Sequence, residues 1–118
     1  MSETRVARVG DQIQREIASL LSSGGLKDDR IGFVTITGVK VTPDLMDAKV
    51  YFSVHGTAAE QKATAAALAD DTGRIRSHVG KRMKIRHIPT LHFVRDAAIE
   101  EGAKIDRLLQ EVRKKEGW

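Results

Sequence analysis

The sequence predicts an α+β domain in the order αββααβ, with a three-stranded mixed sheet, a helix–kink–helix and a further C-terminal helix. Three observations predict it. Apolar residues recur at helical spacing in the first part of the chain. Two β-branched runs follow, joined by a short proline turn. An alanine-rich helical region then breaks at Asp70-Asp71-Thr72-Gly73 and resumes before a last β-branched run.

Residues 4–23 read as the first helix. Val6, Val9, Ile13, Ile17, Leu20 and Leu21 form its apolar stripe, Arg8, Gln12 and Arg15 lie opposite, and Thr4 is placed to cap it. Gly24-Gly25 ends it. Residues 31–41 read as a strand, with Phe33, Thr35, Thr37 and Val39 on one face and Val34, Ile36 and Lys40 on the other. Thr42-Pro43-Asp44 supplies turn chemistry, and residues 48–54 form the second strand of an antiparallel hairpin. Tyr51 and Phe52 alternate, so at most one of them faces a base, and core packing is the simpler use of either.

Thr57 and Glu60 have capping-box spacing, and alanines continue that helix to Ala69. Three of the residues Asp70-Asp71-Thr72-Gly73 are poor helix formers, and Asp71 or Thr72 has the chemistry to cap a new start. A second helix follows, over about 73–83. Pro89 introduces a third strand over 90–95. A strand, a helical crossover and a strand make a parallel pair, so the second strand takes the middle of the sheet. Ile99, Ile105, Leu108, Leu109 and Val112 suggest a last helix. Residues 1–112 are expected to form one domain and 113–118 a frayed tail.

Composition excludes several classes. The chain has no cysteine, which removes disulfides, thiolate metal sites and a cysteine nucleophile, and suits a reducing cytosol. No run approaches the ~20 apolar residues of a membrane span, and charges begin at Glu3 with no apolar leader, so a cytoplasmic protein is expected. Aromatics are 4%, too few for recognition built on rows of stacking rings.

Charge is the informative feature. Residues 73–86 hold Arg74, Arg76, Lys81, Arg82, Lys84 and Arg86 and no acid. The whole chain carries only +4, so the basic excess is local, as for a surface that meets a polyanion. Ile75, Val79 and Met83 stripe one side of this helix, while Arg74, Ser77, Lys81 and Lys84 fall on another. Backbone N–H groups at Thr72 and Gly73 add an anion-binding helix start, which Asp70 and Asp71 oppose. Arg5 and Arg8 are further candidates for phosphate contact. The competing use of all these charges is a solvated surface.

Catalytic chemistry is hard to assemble. His55, His78, His87 and His92 are scattered, none at the i, i+4 spacing of a ligand pair, and neither a metal nor a cofactor is expected. Gly73 to Lys81 lacks the spacing of a nucleotide-triphosphate loop, and Arg82 stands where Ser or Thr would hold magnesium. Asp28-Asp29, Asp70-Asp71 and Glu100-Glu101 are sequential pairs whose members point apart, so solvated carboxylates are expected rather than acid–base dyads.

Several short motifs, in order, resemble the bacterial ribosome-binding factor A family over nearly the whole chain. They are Arg5-Val6-Ala7-Arg8-Val9, Lys27-Asp28-Asp29-Arg30-Ile31-Gly32, Ala48-Lys49-Val50-Tyr51, Gly73-Arg74-Ile75-Arg76-Ser77, Gly80-Lys81-Arg82 and Pro89-Thr90-Leu91-His92-Phe93. The resemblance implies a KH-like fold of the second type, in which a kink of pattern Ala-x-Gly replaces the glycine-rich loop. Here that pattern reads Asp71-Thr72-Gly73, and Asp29 stands where proline is usual. It implies a non-catalytic assembly factor that binds the small ribosomal subunit and its 16S-type rRNA. It further implies a role in rRNA maturation at the 5′ end and in growth in the cold, and release by a GTPase in some bacteria. A monomer is expected. The alternatives are a KH-like module acting on other RNAs, a small nuclease, and a protein adaptor using the helix that ends near Arg113.

Overall fold

The computed structural model describes residues 3–96. The expected C-terminal helix and the tail after residue 112 lie outside them. Helix α1, Glu3–Ser22, starts one residue before the expected cap, so Thr4 lies in its first turn; glutamate is the better helix former of the two. Ile13 and Ile17 are fully buried and Leu20 nearly so, with Val6, Val9 and Leu21 packed against them. Each fully buried isoleucine is worth about 1.5–3 kcal/mol. Gly24 takes φ of 72°, and the Gly25 N–H donates to the Leu20 carbonyl at 3.1 Å, closing the helix with a left-handed turn that glycine adopts without strain.

Strands β1, Phe33–Val41, and β2, Asp47–His55, are antiparallel, and β3, Thr90–Arg95, runs parallel to β2. The sheet order is β1-β2-β3, as the sequence predicts. The predicted faces of β1 hold only for its first half. The register shifts between Ile36 and Gly38, leaving Thr37 as an extra residue. A bulge inverts the alternation, so Val34 and Ile36 face the helices before it and Val39 and Val41 after it, opposite Val50 and Ala48. Unbroken alternation would have aimed Lys40 into the core. The Gln14 amide donates to the Ile36 carbonyl at 3.2 Å, and the Thr37 hydroxyl donates to Asp96 at 2.7 Å.

Helix α2 spans Ala58–Asp70 and helix α3 spans Thr72–Met83. The capping box of α2 forms as predicted: the Glu60 N–H donates to Thr57 Oγ1 at 3.1 Å and the Thr57 N–H to Glu60 Oε1 at 3.2 Å. The kink expected over four residues is a single residue, Asp71. Leu68 on α2, and Ile75, Val79 and Met83 on α3, join the core beneath Val50 and Phe52. Phe52 meets Phe93 edge-on at 6.3 Å, while Tyr51 lies half-buried on the other face. The buried Thr64 hydroxyl accepts from the Gly32 N–H at 2.9 Å and donates to the Arg30 carbonyl at 3.2 Å. Those two bonds fasten the chain around Arg30 to α2, close to the kink. Among the described residues no helix is long and apolar enough to cross a membrane.

Candidate nucleic-acid interface

The stripe of Ile75, Val79 and Met83 fixes how α3 is rolled, which turns Arg74, Ser77 and Lys81 outward. After Met83 the chain reverses at Lys84, which adopts a left-handed conformation (φ 55°, ψ 32°) and donates its N–H to the Gly80 carbonyl at 3.3 Å. A lysine there costs roughly 1–2 kcal/mol against glycine. The reversal lays residues 85–88 alongside α3. Between them is an open groove of about 480 Å³, lined by Gly73, Arg76, Ser77, Gly80, Lys81, Ile85, Arg86, His87 and Ile88.

The six cations of this stretch divide into two groups. Three are committed within the protein. Arg76 donates to the carbonyls of Ile88 at 2.6 Å and Pro89 at 3.2 Å, both in buried residues, so it braces the groove wall. Arg74 lies 2.8 Å from Asp71, and Arg82 lies 3.3 Å from Glu16 on α1. Lys81, Lys84 and Arg86 are exposed, and no ion pair holds them among the described residues. Phosphate contact by these three breaks no existing bond. Gly73 borders the same groove. It is exposed, its φ is not left-handed, and a Cβ there would meet nothing within 4 Å. Neither backbone strain nor packing requires glycine at this position.

Arg5 and Arg8 are exposed on α1 and do not line the groove. Thr72 is half-buried, and its hydroxyl donates to the Leu68 carbonyl at 2.8 Å, one turn back in α2. It therefore finishes α2 rather than capping α3. Ser77, His87 and Ile85 were not among the sequence candidates for contact. Ile85 is 39% exposed between Lys84 and Arg86, an apolar surface bounded by cations. Its basic neighbours mark it in the sequence, but its place beside α3 depends on the reversal at Lys84.

The carboxylates at the kink depart from expectation. Asp28 and Asp71 come together from different sequential pairs, while Glu100-Glu101 lies outside the described residues. Asp71 is 1% exposed, its Oδ1 accepts from Arg74, and its Oδ2 meets no donor. Its neighbour is the carboxyl of Asp28, which becomes a hydrogen-bond partner only if one of the two holds a proton. That contact with Asp28 and burial raise the Asp71 carboxyl above its ordinary value, against the pull of Arg74. Asp28 is held well below the usual carboxylate range, chiefly by Arg30, which grips it through Nε at 3.0 Å and Nη2 at 2.7 Å. Arg30 also reaches Asp70 at 2.9 Å. His92 lies 2.9 Å from Asp47.

The family model for ribosome-binding factor A matches residues 5–109. A ribosome-binding factor A of Brevibacillus brevis is 46% identical over 112 residues, covering 95% of this chain and 92% of its own length. The crystal structure of ribosome-binding factor A from Thermus thermophilus superposes with a TM-score of 0.65 at 21% identity, covering 76% of this chain and 94% of that one. A homology model of the Thermus thermophilus factor, fitted into a cryo-electron-microscopy map of a 30S–RbfA complex, gives 0.63 at 24% identity, covering 78% and 96%. With the αββααβ order, the single-residue kink and a match along nearly its whole length, the chain belongs to the ribosome-binding factor A family.

Proposed function

We propose that this protein is a non-catalytic assembly factor that binds the small ribosomal subunit through its rRNA. Lys81, Lys84 and Arg86 hold phosphates along the groove beside α3, and Gly73 lets the RNA backbone approach the start of that helix. The observation that carries this reading is the pairing of uncommitted cations, Lys81 and Arg86 in the groove and Lys84 next to it in sequence, with a bare, sterically unneeded glycine lining the same groove. The binding of a relative to the 30S subunit supports the same partner. Phosphate contacts position the protein, and the shape of the folded rRNA supplies selectivity. Binding favours one rRNA arrangement by differential affinity, with no bond made or broken. In this reading the factor acts as a cytoplasmic monomer, assists late maturation of the rRNA including its 5′ end, supports growth in the cold, and is released by an assembly GTPase.

Co-sedimentation with purified small subunits, large subunits and a short single-stranded RNA tests this. Selective binding to small subunits is expected. It should fall with salt by about 0.7 log unit per log unit of salt for each single-strand phosphate neutralised. The variant Lys81→Glu/Lys84→Glu should lose binding while keeping its circular dichroism spectrum. Equal binding to all three RNAs would replace this reading with a general KH-like RNA module.

A further inference from the structure

Arg74 and Asp71 form an unequal pair. The Arg74 side chain is 68% exposed, while that of Asp71 is 1% exposed. The guanidinium is free to swing toward solvent; the carboxylate is fixed. Arg74 also shares a helix face with Ser77 and Lys81, both of which line the groove. A phosphate seated on Lys81 therefore lies within one or two turns of the Arg74 guanidinium.

If Arg74 turns to that phosphate, Asp71 loses its cation. The charged groups around it are Asp28 and Arg30 from the loop before β1, Asp70 at the end of α2, and Arg74 itself on α3. Arg30 cannot take over, because Asp28 holds it through two nitrogens and Asp70 through a third. Asp71 would be a buried carboxylate beside another carboxylate, with neither oxygen paired. Such a site is relieved by a proton. The unpartnered Oδ2 and the adjacent Asp28 carboxyl are arranged to hold one between them.

We propose that Arg74 exchanges Asp71 for an RNA phosphate, and that Asp71 takes up one proton from solvent as it does so, sharing it with Asp28. The Asp71-Thr72-Gly73 kink is then a proton-coupled RNA contact. This rests on the RNA reading above and adds a linkage to it: binding draws in a proton, so protonation strengthens binding by the same factor. Of the phosphate contacts, only the one at Arg74 carries this coupling, because Lys81, Lys84 and Arg86 leave no buried acid behind.

The test compares the wild type with Asp71→Asn and Arg74→Gln, binding purified small ribosomal subunits at fixed ionic strength and several pH values. Calorimetry in buffers of different ionisation enthalpy counts the protons taken up. The histidines are common to all three proteins, so differences between them isolate Asp71. The wild type is expected to take up as much as about one more proton per RNA than Asp71→Asn, which approaches a tenfold change in affinity per pH unit at the limit. Asp71→Asn should bind several-fold more tightly than the wild type at the highest pH, since Arg74 then gives up only a neutral acceptor and leaves no buried charge behind. Arg74→Gln should bind more weakly and also lose the extra proton.

Equal proton uptake and equal pH slopes in the wild type and Asp71→Asn would overturn the coupling while leaving RNA binding in place. Failure of all three proteins to bind small subunits would overturn the RNA reading, and the coupling with it. If Asp71→Asn disturbs the fold, Arg74→Gln decides alone. Its Asp71 carboxyl, followed by carbon NMR in the free protein, should titrate at higher pH than in the wild type, and an unchanged titration would refute the exchange.

Discussion

At the start of α3, Arg74 neutralises a buried aspartate and Arg76 is tied to two backbone carbonyls. At its end, Lys81, Lys84 and Arg86 stand in solvent around a backbone reversal that lysine adopts under strain. Each of these cations counts the same toward the net charge. They differ in what a ligand must break to use them. A phosphate at the C-terminal end displaces only water and counterions, whereas one at the kink must first uncouple an internal pair. Arg82, bound to Glu16, is an exception at the free end, but that pair is exposed and weak. Net charge therefore overstates the available surface, and internal pairing decides which cations a polyanion meets.

The sharpest way to break this comparison is charge reversal at each end. Lys84→Glu/Arg86→Glu should weaken small-subunit binding by about a hundredfold, taking each charged contact as about 1.5 kcal/mol. Arg74→Glu should cost less than that at neutral pH, and filter binding of both variants checks the order. Arg76→Met should instead destabilise the fold by about 1–3 kcal/mol in urea unfolding, because the buried carbonyls of Ile88 and Pro89 lose their donor. An unaltered unfolding midpoint would return Arg76 to the RNA-contact set.

Asp71→Asn should stabilise the free protein by about 1 kcal/mol at neutral pH, since an amide donates to Asp28 and accepts from Arg74. The sign follows from the raised folded value of Asp71: the stability it contributes is present at low pH and is lost as pH rises through that value. The advantage of the variant should thus open as pH climbs above about 4, read from thermal melts across pH. Gly73→Ala separates folding from binding. It should gain about 0.5–1 kcal/mol of stability, since nothing occupies the space of the new methyl, yet bind RNA more weakly. The smallest effect belongs to Arg82→Gln, a few tenths of a kcal/mol at most for an exposed ion pair.

Much of this was legible in local sequence. The stripe on α1, the Thr57–Glu60 capping box, the turn at Thr42-Pro43-Asp44 and the position of β3 each depend on residues a few places apart. So does the roll of α3, because Ile75, Val79 and Met83 repeat at one helical spacing. The bulge at Thr37 was not legible, since it changes parity without changing composition: Ile36, Thr37, Gly38 and Val39 fit an unbroken strand equally well. The groove residues Ile85 and His87 were missed because their placement depends on a reversal at Lys84, where a lysine does what glycine usually signals.

By itself the sequence determined the order of the described elements, the family and the basic segment proposed to meet RNA, because periodicity, caps and charge runs are short-range properties. Only the tertiary structure decided which cations remain for that role. Arg76 meets Ile88 and Pro89, and Arg82 meets Glu16, across folded rather than sequential distance. Asp28 and Asp71, forty-odd residues apart, became one carboxyl pair through the bonds that hold the Arg30 loop to α2. Charge is additive along a chain, but its availability depends on three-dimensional neighbours and burial, which no one-dimensional count contains.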